Sequence, residues 1–126
     1  MINISHLDHL VLTVANLARS IEFYTTVLGF KLVTFGENRK ALVFGQQKIN
    51  LHQKGDEVKP NAKVATCGSA DLCFITTTDL NEVLNHLARH HIIPESSIVQ
   101  RTGAVGTIHS IYLRDPDGNL LEISRY

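Results

Sequence analysis

Apolar and polar positions divide the chain into short segments whose order repeats. His6 to Val14 alternates loosely and is rich in Leu, Val and Thr, the pattern of a strand. Asn16 then offers a helix N-cap oxygen. Leu17, Ile21, Tyr24 and Leu28 recur at helical spacing and form one apolar stripe. Gly29 falls where a left-handed residue ends such a helix. Three strand-like runs follow, Lys31 to Phe35, Lys40 to Gly45 and Lys48 to Gln53, with turns at Asn38-Arg39 and Gln46-Gln47. The first half reads β-α-β-β-β.

Gly55 to Gly68 is polar and reads as a linker crossing the surface. The pattern then restarts. Asp71 to Thr77 is a strand, and Asp79 caps a helix, with Glu82 at capping-box spacing. Leu80, Val83, Leu84 and Leu87 form the predicted buried face, and Ile92 to Pro94 ends the helix. Ile98 to Arg101, Ile108 to Arg114 and Asn119 to Ser124 are the last strands, with a strong turn at Asp115-Pro116-Asp117-Gly118. His9-Leu10-Val11-Leu12 parallels Asp71-Leu72-Cys73-Phe74, and Lys48-Ile49-Asn50-Leu51 parallels Asn119-Leu120-Leu121-Glu122. The expectation is one α+β domain of two βαβββ modules, residues 5–55 and 69–126 in round numbers, joined by a linker over 56–68. A duplicated unit places matching polar residues on matching strands, facing one cavity.

At 126 residues the chain can bury a core without disulfides or structural metals. Lys+Arg and Asp+Glu are 12 each and the basic residues are scattered, so no nucleic-acid partner is expected. No apolar run is long enough for a membrane span. Met1 to Leu7 lacks the charged and apolar regions of a secretory signal. Cys67 and Cys73 are too few for a disulfide framework and are not spaced as a zinc knuckle, so a cytoplasmic protein with reduced thiols is expected. Free cysteines are usually buried, which makes Cys73 first a small core residue.

Residues two apart on a strand share a face. His9 therefore travels with Val11 and Thr13, Asn50 with His52, Asp71 with Cys73, and Glu122 with Leu120 and Ser124. Glu122 stands inside the apolar run Leu120 to Ile123, where a carboxylate is costly to bury unless it is paired or metal-bound. His9, before Leu10-Val11-Leu12, makes the same argument more weakly. His90 and His91 close the second helix and are expected at the surface. A lone buried His is more often bonded to backbone than to a ligand, and a Glu near a chain end is usually exposed. One suitable residue on the first and last strands of both modules favours a site.

These residues carry a resemblance. Leu7-Asp8-His9-Leu10-Val11-Leu12, then Ala18-Arg19-Ser20-Ile21-Glu22-Phe23-Tyr24 and Leu28-Gly29-Phe30, then Tyr112-Leu113-Arg114-Asp115-Pro116-Asp117-Gly118-Asn119 leading to Leu121-Glu122, resemble the vicinal-oxygen-chelate (VOC) superfamily over essentially the whole chain. Its fold is the glyoxalase/bleomycin resistance/dihydroxybiphenyl dioxygenase-like one. Arg39 to Leu42, Lys48 to His52, Arg101 to Ala104 and Ser110 to Tyr112 look most like the glyoxalase-domain-containing protein 5 type, whose small bacterial relatives include virulence-associated ones.

The resemblance implies paired βαβββ modules, a homodimer, and a divalent metal held by His and Glu. By position, His9 fits the first-strand ligand and Glu122 the last-strand ligand. The third slot, usually His in glyoxalase I, falls on Asp71, or on Leu72 if the helix start is the anchor; Leu cannot bind a metal, so Asp71 is preferred. The fourth slot, usually Glu, falls on Asn50, with His52 two residues later. Such a set with open positions suits Zn, Ni, Co, Mn or Fe. The implied activity is a metal-dependent lyase or isomerase on a small α-hydroxycarbonyl or 2-oxo compound. His9, Asp71 and Glu122 would hold the metal, with His52 as a fourth ligand or proton-transfer base. Arg101 and His109, in or beside the loop to Gly106, could hold a substrate carboxylate or phosphate, with Asn50 and Cys73 also against substrate. Two alternatives stand beside it: an iron-dependent ring-cleaving dioxygenase using His9, His52 and Glu122, and a non-enzymatic small-molecule binder.

Overall fold

The computed structural model describes all residues, Met1–Tyr126, in two compact units, Met1–Cys67 and Gly68–Tyr126. In the first unit the elements run β1 (His9–Val14), α1 (Leu17–Thr26), β2 (Lys31–Phe35), β3 (Arg39–Phe44) and β4 (Gln47–Gln53). The second unit repeats the order as β5 (Asp71–Ile75), α2 (Leu80–Arg89), β6 (Val99–Gly103), β7 (Gly106–Arg114) and β8 (Leu120–Arg125). The two sheets have matching orders, β1-β4-β3-β2 and β5-β8-β7-β6, with the first and last strands of each module parallel. The expected βαβββ duplication is the observed fold, with strand ends within a few residues of those expected.

In the first module α1 packs on β2, β3 and β4. Asn16 caps it as expected, its side chain accepting the Arg19 N–H. Gln53 reinforces that end, accepting the Leu17 N–H at 2.9 Å and donating to the Ala15 carbonyl at 2.8 Å. The buried helix face is Ser20, Phe23 and Tyr24, followed by buried Val27. The predicted stripe shares only Tyr24 with it, and Leu17, Ile21 and Leu28 flank it half-buried. The aromatic rings decide this rotation. Tyr24 meets Phe23 edge-on at 5.2 Å and stacks on Phe30 at 5.7 Å, and Phe30 stacks on Phe44 at 4.5 Å. Gly29 takes the expected left-handed conformation, with φ 71°, and returns the chain from the helix to β2.

In the second module Asp79 caps α2 through the Asn81 N–H. The reciprocal Glu82 bond of a capping box is not formed; Glu82 is exposed and serves only as a first-turn acid. Leu80 and Leu87 are buried, whereas Val83 and Leu84 are half-buried. Ile111, Leu113, Leu121 and Ile123 are the buried apolar face of the sheet. Arg125, on the same parity as Ile123, reaches Asp79 at 4.0 Å, which puts the helix over that face.

The Asp115–Asn119 turn ties β5, β7 and β8 together. Buried Asp115 accepts the Asp117 and Asn119 backbone N–H groups at 2.9 Å each and the Asn119 side-chain amide at 2.7 Å. The Asn119 side-chain amide oxygen in turn accepts the Ala70 N–H at 2.9 Å, just before β5. Gly68 presses against the Asp117 carbonyl at φ 74°, where an added Cβ would collide with that oxygen. Asn119→Ala strands buried partners and is expected to cost about 2–3 kcal/mol. Gly68→Ala is expected to cost at least about 1 kcal/mol. Urea unfolding midpoints test both, and values equal to wild type would contradict this account of the turn.

Candidate functional site

Strand parity gives each sheet a helix-side face and a more polar face. On the polar face of the first sheet, His9, Val11 and Thr13 of β1 stand beside Lys48, Asn50 and His52 of β4. Ala41 pairs with Asn50 and Val43 with Lys48 on β3, and Phe35 of β2 pairs with Arg39. On the second sheet the corresponding face carries Asp71 and Cys73 of β5, Glu122 and Ser124 of β8, Ser110 and Tyr112 of β7, and Arg101 of β6.

His9 is not buried in its apolar run; its side chain is 44% exposed. Its Nδ1 is 2.7 Å from an Asp8 carboxylate oxygen, leaving Nε2 without a partner. This bond is the main reason the Asp8 carboxyl lies below its usual range. A carboxylate on one imidazole nitrogen is how metal-binding histidines are commonly oriented.

Glu122 is half-buried and paired, as its place in the apolar run requires. Its Oε2 accepts the Ser110 hydroxyl at 2.6 Å and the Ser124 hydroxyl at 3.2 Å, and the two hydroxyls are 2.7 Å apart. Both serines are fully buried, so the carboxylate is held in one orientation while Oε1 has no partner. Cys73 extends the chain through a 3.3 Å contact from Sγ to the Ser124 hydroxyl. Cys73 is exposed, against the expectation of a core residue; it stands on the polar face of β5, an edge strand. Burial of its sulfur pushes the thiol pKa up, the Ser124 bond opposes this, and Glu122 and Asp71 add to it. It remains a neutral thiol at pH 7.

Asp71 shares this face and is exposed, whereas Leu72 points to the helix side. Arg101 lies on β6 rather than in a loop. It donates from Nε to the Tyr112 hydroxyl at 3.1 Å, with its guanidinium 5.6 Å from that ring. Tyr112 pairs directly with Glu122, which brings Arg101 to the same face. His109 does not join them. It alternates with Ser110 and shares the parity of Ile111 and Leu113, so it is exposed on the helix side and drops from the site.

His52 and Asn50 are 3% and 5% exposed, yet both His52 ring nitrogens and the Asn50 carbonyl oxygen have no hydrogen-bond partner. Each orphan of this kind costs about 1–3 kcal/mol, so the two together suggest a ligand's polar groups belong there. Burial, then the Arg39 charge, lowers the His52 pKa from its ordinary 6.5, with Glu57 opposing, so the ring is neutral at pH 7. Sequence reasoning missed Asp8, Ser110 and Tyr112 and the role of Ser124, and it missed Arg39, whose charge is felt at His52, with Lys48 and Phe35 on the same face. Ser110 and Ser124 interrupt apolar strands two residues from Tyr112 and Glu122, a signal readable once the register is known. The structure gathers no group of three or more His, Cys, Asp or Glu side chains that could hold a metal ion.

Comparison with known proteins places this geometry. Residues 6–123 match the Glyoxalase/Bleomycin resistance protein/Dioxygenase superfamily. The chain is 57% identical to Virulence protein STM3117 of Salmonella typhimurium over 98% of this chain and 85% of that one. It is 51% identical to glyoxalase domain-containing protein RDO1 of Mycosarcoma maydis over 99% of this chain and 70% of that one. The crystal structure of STM3117 superposes with TM-score 0.98 at 56% identity, covering 99% of each chain. A lactoylglutathione lyase from Agrobacterium tumefaciens, at 22% identity and TM-score 0.73 over 96% of this chain and 93% of that one, shares the fold. The chain belongs to the Glyoxalase/Bleomycin resistance protein/Dioxygenase superfamily, the VOC proteins that its first strand and DPDG turn resemble.

Proposed function

We propose that this protein binds a small oxygenated metabolite on its polar sheet faces and acts on it as a divalent-metal-dependent lyase or isomerase. The observation that carries the reading is the state of His9 and Glu122. Each is oriented through one polar atom, by Asp8 and by Ser110 with Ser124, and each keeps another donor atom open. An imidazole nitrogen and a carboxylate oxygen prepared in this way fit Zn, Ni, Co, Mn or Fe. Asp71 is a third donor, a carboxylate with no hydrogen-bond partner. The proposed ligand set is His9 of the first module with Asp71 and Glu122 of the second.

A bound divalent cation supplies Lewis acidity to neighbouring substrate oxygens. The chain's own groups do the rest. Neutral His52 has a ring nitrogen free to accept a proton. The buried serine pair keeps Glu122 from turning toward solvent. Arg101 remains exposed to meet a substrate anion. A metal-free binder is the second reading, favoured by the same orphaned Asn50 and His52, which can hydrogen-bond a ligand without a cation.

Metal analysis after incubation with Zn, Ni, Mn or Fe(II) and dialysis tests the first reading. Wild type is expected to retain close to one ion per site, and His9→Ala and Glu122→Ala to lose it. Asp8→Ala is expected to weaken metal affinity about 10–100-fold by freeing the imidazole. Retention of no metal by wild type would sink the metal-dependent reading and leave the binder.

His52 gives a pH-dependent outcome. Its pKa is lower folded than unfolded, so between the two values the unfolded chain binds more protons. Stability is therefore complete above pH 6.5 and falls as pH drops through the folded value. The depressed Asp8 and Glu57 carboxyls act in a separate, more acidic window. Urea unfolding between pH 7.5 and pH 5 is expected to show falling stability in wild type and a flatter profile in His52→Gln. Identical profiles would contradict the burial of a neutral imidazole.

A further inference from the structure

We propose that the polar face of the first module is an anion-recognition subsite, in which Arg39 and Lys48 hold a ligand oxyanion while Asn50 and His52 engage a neighbouring hydroxyl. The proposal rests on the reading of that face as a ligand site and names the chemistry of the ligand.

Arg39 and Lys48 both sit against Phe35, the guanidinium carbon 4.8 Å and the Lys48 Nζ 4.0 Å from the ring centroid. The ion pairs join His9 with Asp8, Arg114 with Glu95 and Arg125 with Asp79, so neither cation has a carboxylate within ion-pair distance; the Lys48 charge is felt at Asp8, but that carboxylate is engaged by His9. Both are half-buried. The π-face of one phenylalanine compensates two partly desolvated cations weakly, and an oxyanion would satisfy both through charge-assisted hydrogen bonds. Glu57 is a nearby acid, felt at His52, but its carboxylate is engaged by the Gly55 N–H at 3.0 Å.

Register places the cations around the orphaned groups. Arg39 stands on the face of Asn50 and His52 and is one of the charges felt at the imidazole. Lys48 starts two residues from Asn50 on β4, whereas Phe35 lies two strands away on β2 and four residues along. The two side chains can meet only by bridging the row of Asn50, Ala41 and Val33. Their side chains cross the row in which the buried Asn50 carbonyl oxygen lacks a partner.

The donor and acceptor inventory selects the ligand. The Asn50 carbonyl oxygen requires a donor, and neutral His52 has one accepting and one donating nitrogen. A hydroxyl supplies both roles. The ligand class is a small hydroxylated anion, its charge on a carboxylate or a phosphate. Nothing in this arrangement requires a metal, so the subsite would bind such a ligand in metal-free protein.

Chemical-shift titrations in EDTA test this with lactate, glycerol 3-phosphate and uncharged glycerol. Lactate or glycerol 3-phosphate is expected to shift the amides of residues 39, 48, 50 and 52 and the His52 ring nitrogens, and glycerol to leave them in place. Whichever anion binds identifies the charged group. Lys48→Gln and Arg39→Gln are each expected to weaken binding at least tenfold, with the spectra of the second module unchanged. Binding of glycerol as strong as that of the anions, equal affinity in the variants, or no shift with either anion would overturn the proposal. Removing the metal keeps this result separate from the metal reading, which stands or falls on metal retention.

Discussion

Each sheet must bury one face under its helix, and everything at the candidate site follows from that requirement. A strand alternates sides every residue. Once Leu42, Ile49 and Phe44 face α1, and Ile111, Leu121 and Ile123 face α2, the residues between them turn the other way. Those residues include His9, Asn50, His52, Asp71, Cys73 and Glu122. A one-residue slip would exchange the faces, burying Glu122 under the helix and exposing Leu121. The Tyr24–Phe30–Phe44 stack guards the first module against such a slip. In the second, the Asp115–Asn119 turn fixes β8 against both β7 and the residue before β5.

The modules repeat one arrangement but differ in how their polar groups are satisfied. In the second, Glu122, Ser110, Ser124 and Cys73 form a chain of contacts that holds the carboxylate still. In the first, Asn50 and His52 are buried with open hydrogen-bonding atoms, and Arg39 and Lys48 rest on an aromatic ring. One module is organised around an acid and the other around cations and neutral acceptors. The first module therefore keeps buried polar groups open, which the second does not. Stability is given up for it, since orphaned buried groups are kept where apolar ones would fold more cheaply.

The duplicated architecture was legible because turn signals at Gly29 and Asp115 to Gly118 separate segments of distinct period. Asp71 was preferred to Leu72 as a ligand because Leu cannot bind a metal, and strand parity puts Asp71, not Leu72, on the face of Glu122. What the sequence concealed depended on register or on helix rotation. His109 and Arg101 looked alike beside a glycine-rich stretch, but β7 begins at Gly106 and its alternation sends His109 away from Glu122 while pairing carries Arg101 toward it. The α1 stripe was misplaced because aromatic stacking turned the helix toward Phe23 and Val27. Cys73 was read from the usual burial of free thiols, whereas it is exposed on the polar face of edge strand β5. Serine hydroxyls gave no signal of their own, as their role appears only when Ser110 and Ser124 face each other across β7 and β8.

The central claim is that His9 and Glu122, each oriented through one polar atom with another left open, are metal ligands. Anomalous diffraction from crystals grown with Zn tests it most directly, because it locates the ion rather than counting it. The account predicts a peak within coordination distance of His9 Nε2 and the Glu122 carboxylate. A well-occupied peak elsewhere, such as at the neighbouring His86 and His90 rings, with none at His9 and Glu122, would contradict it.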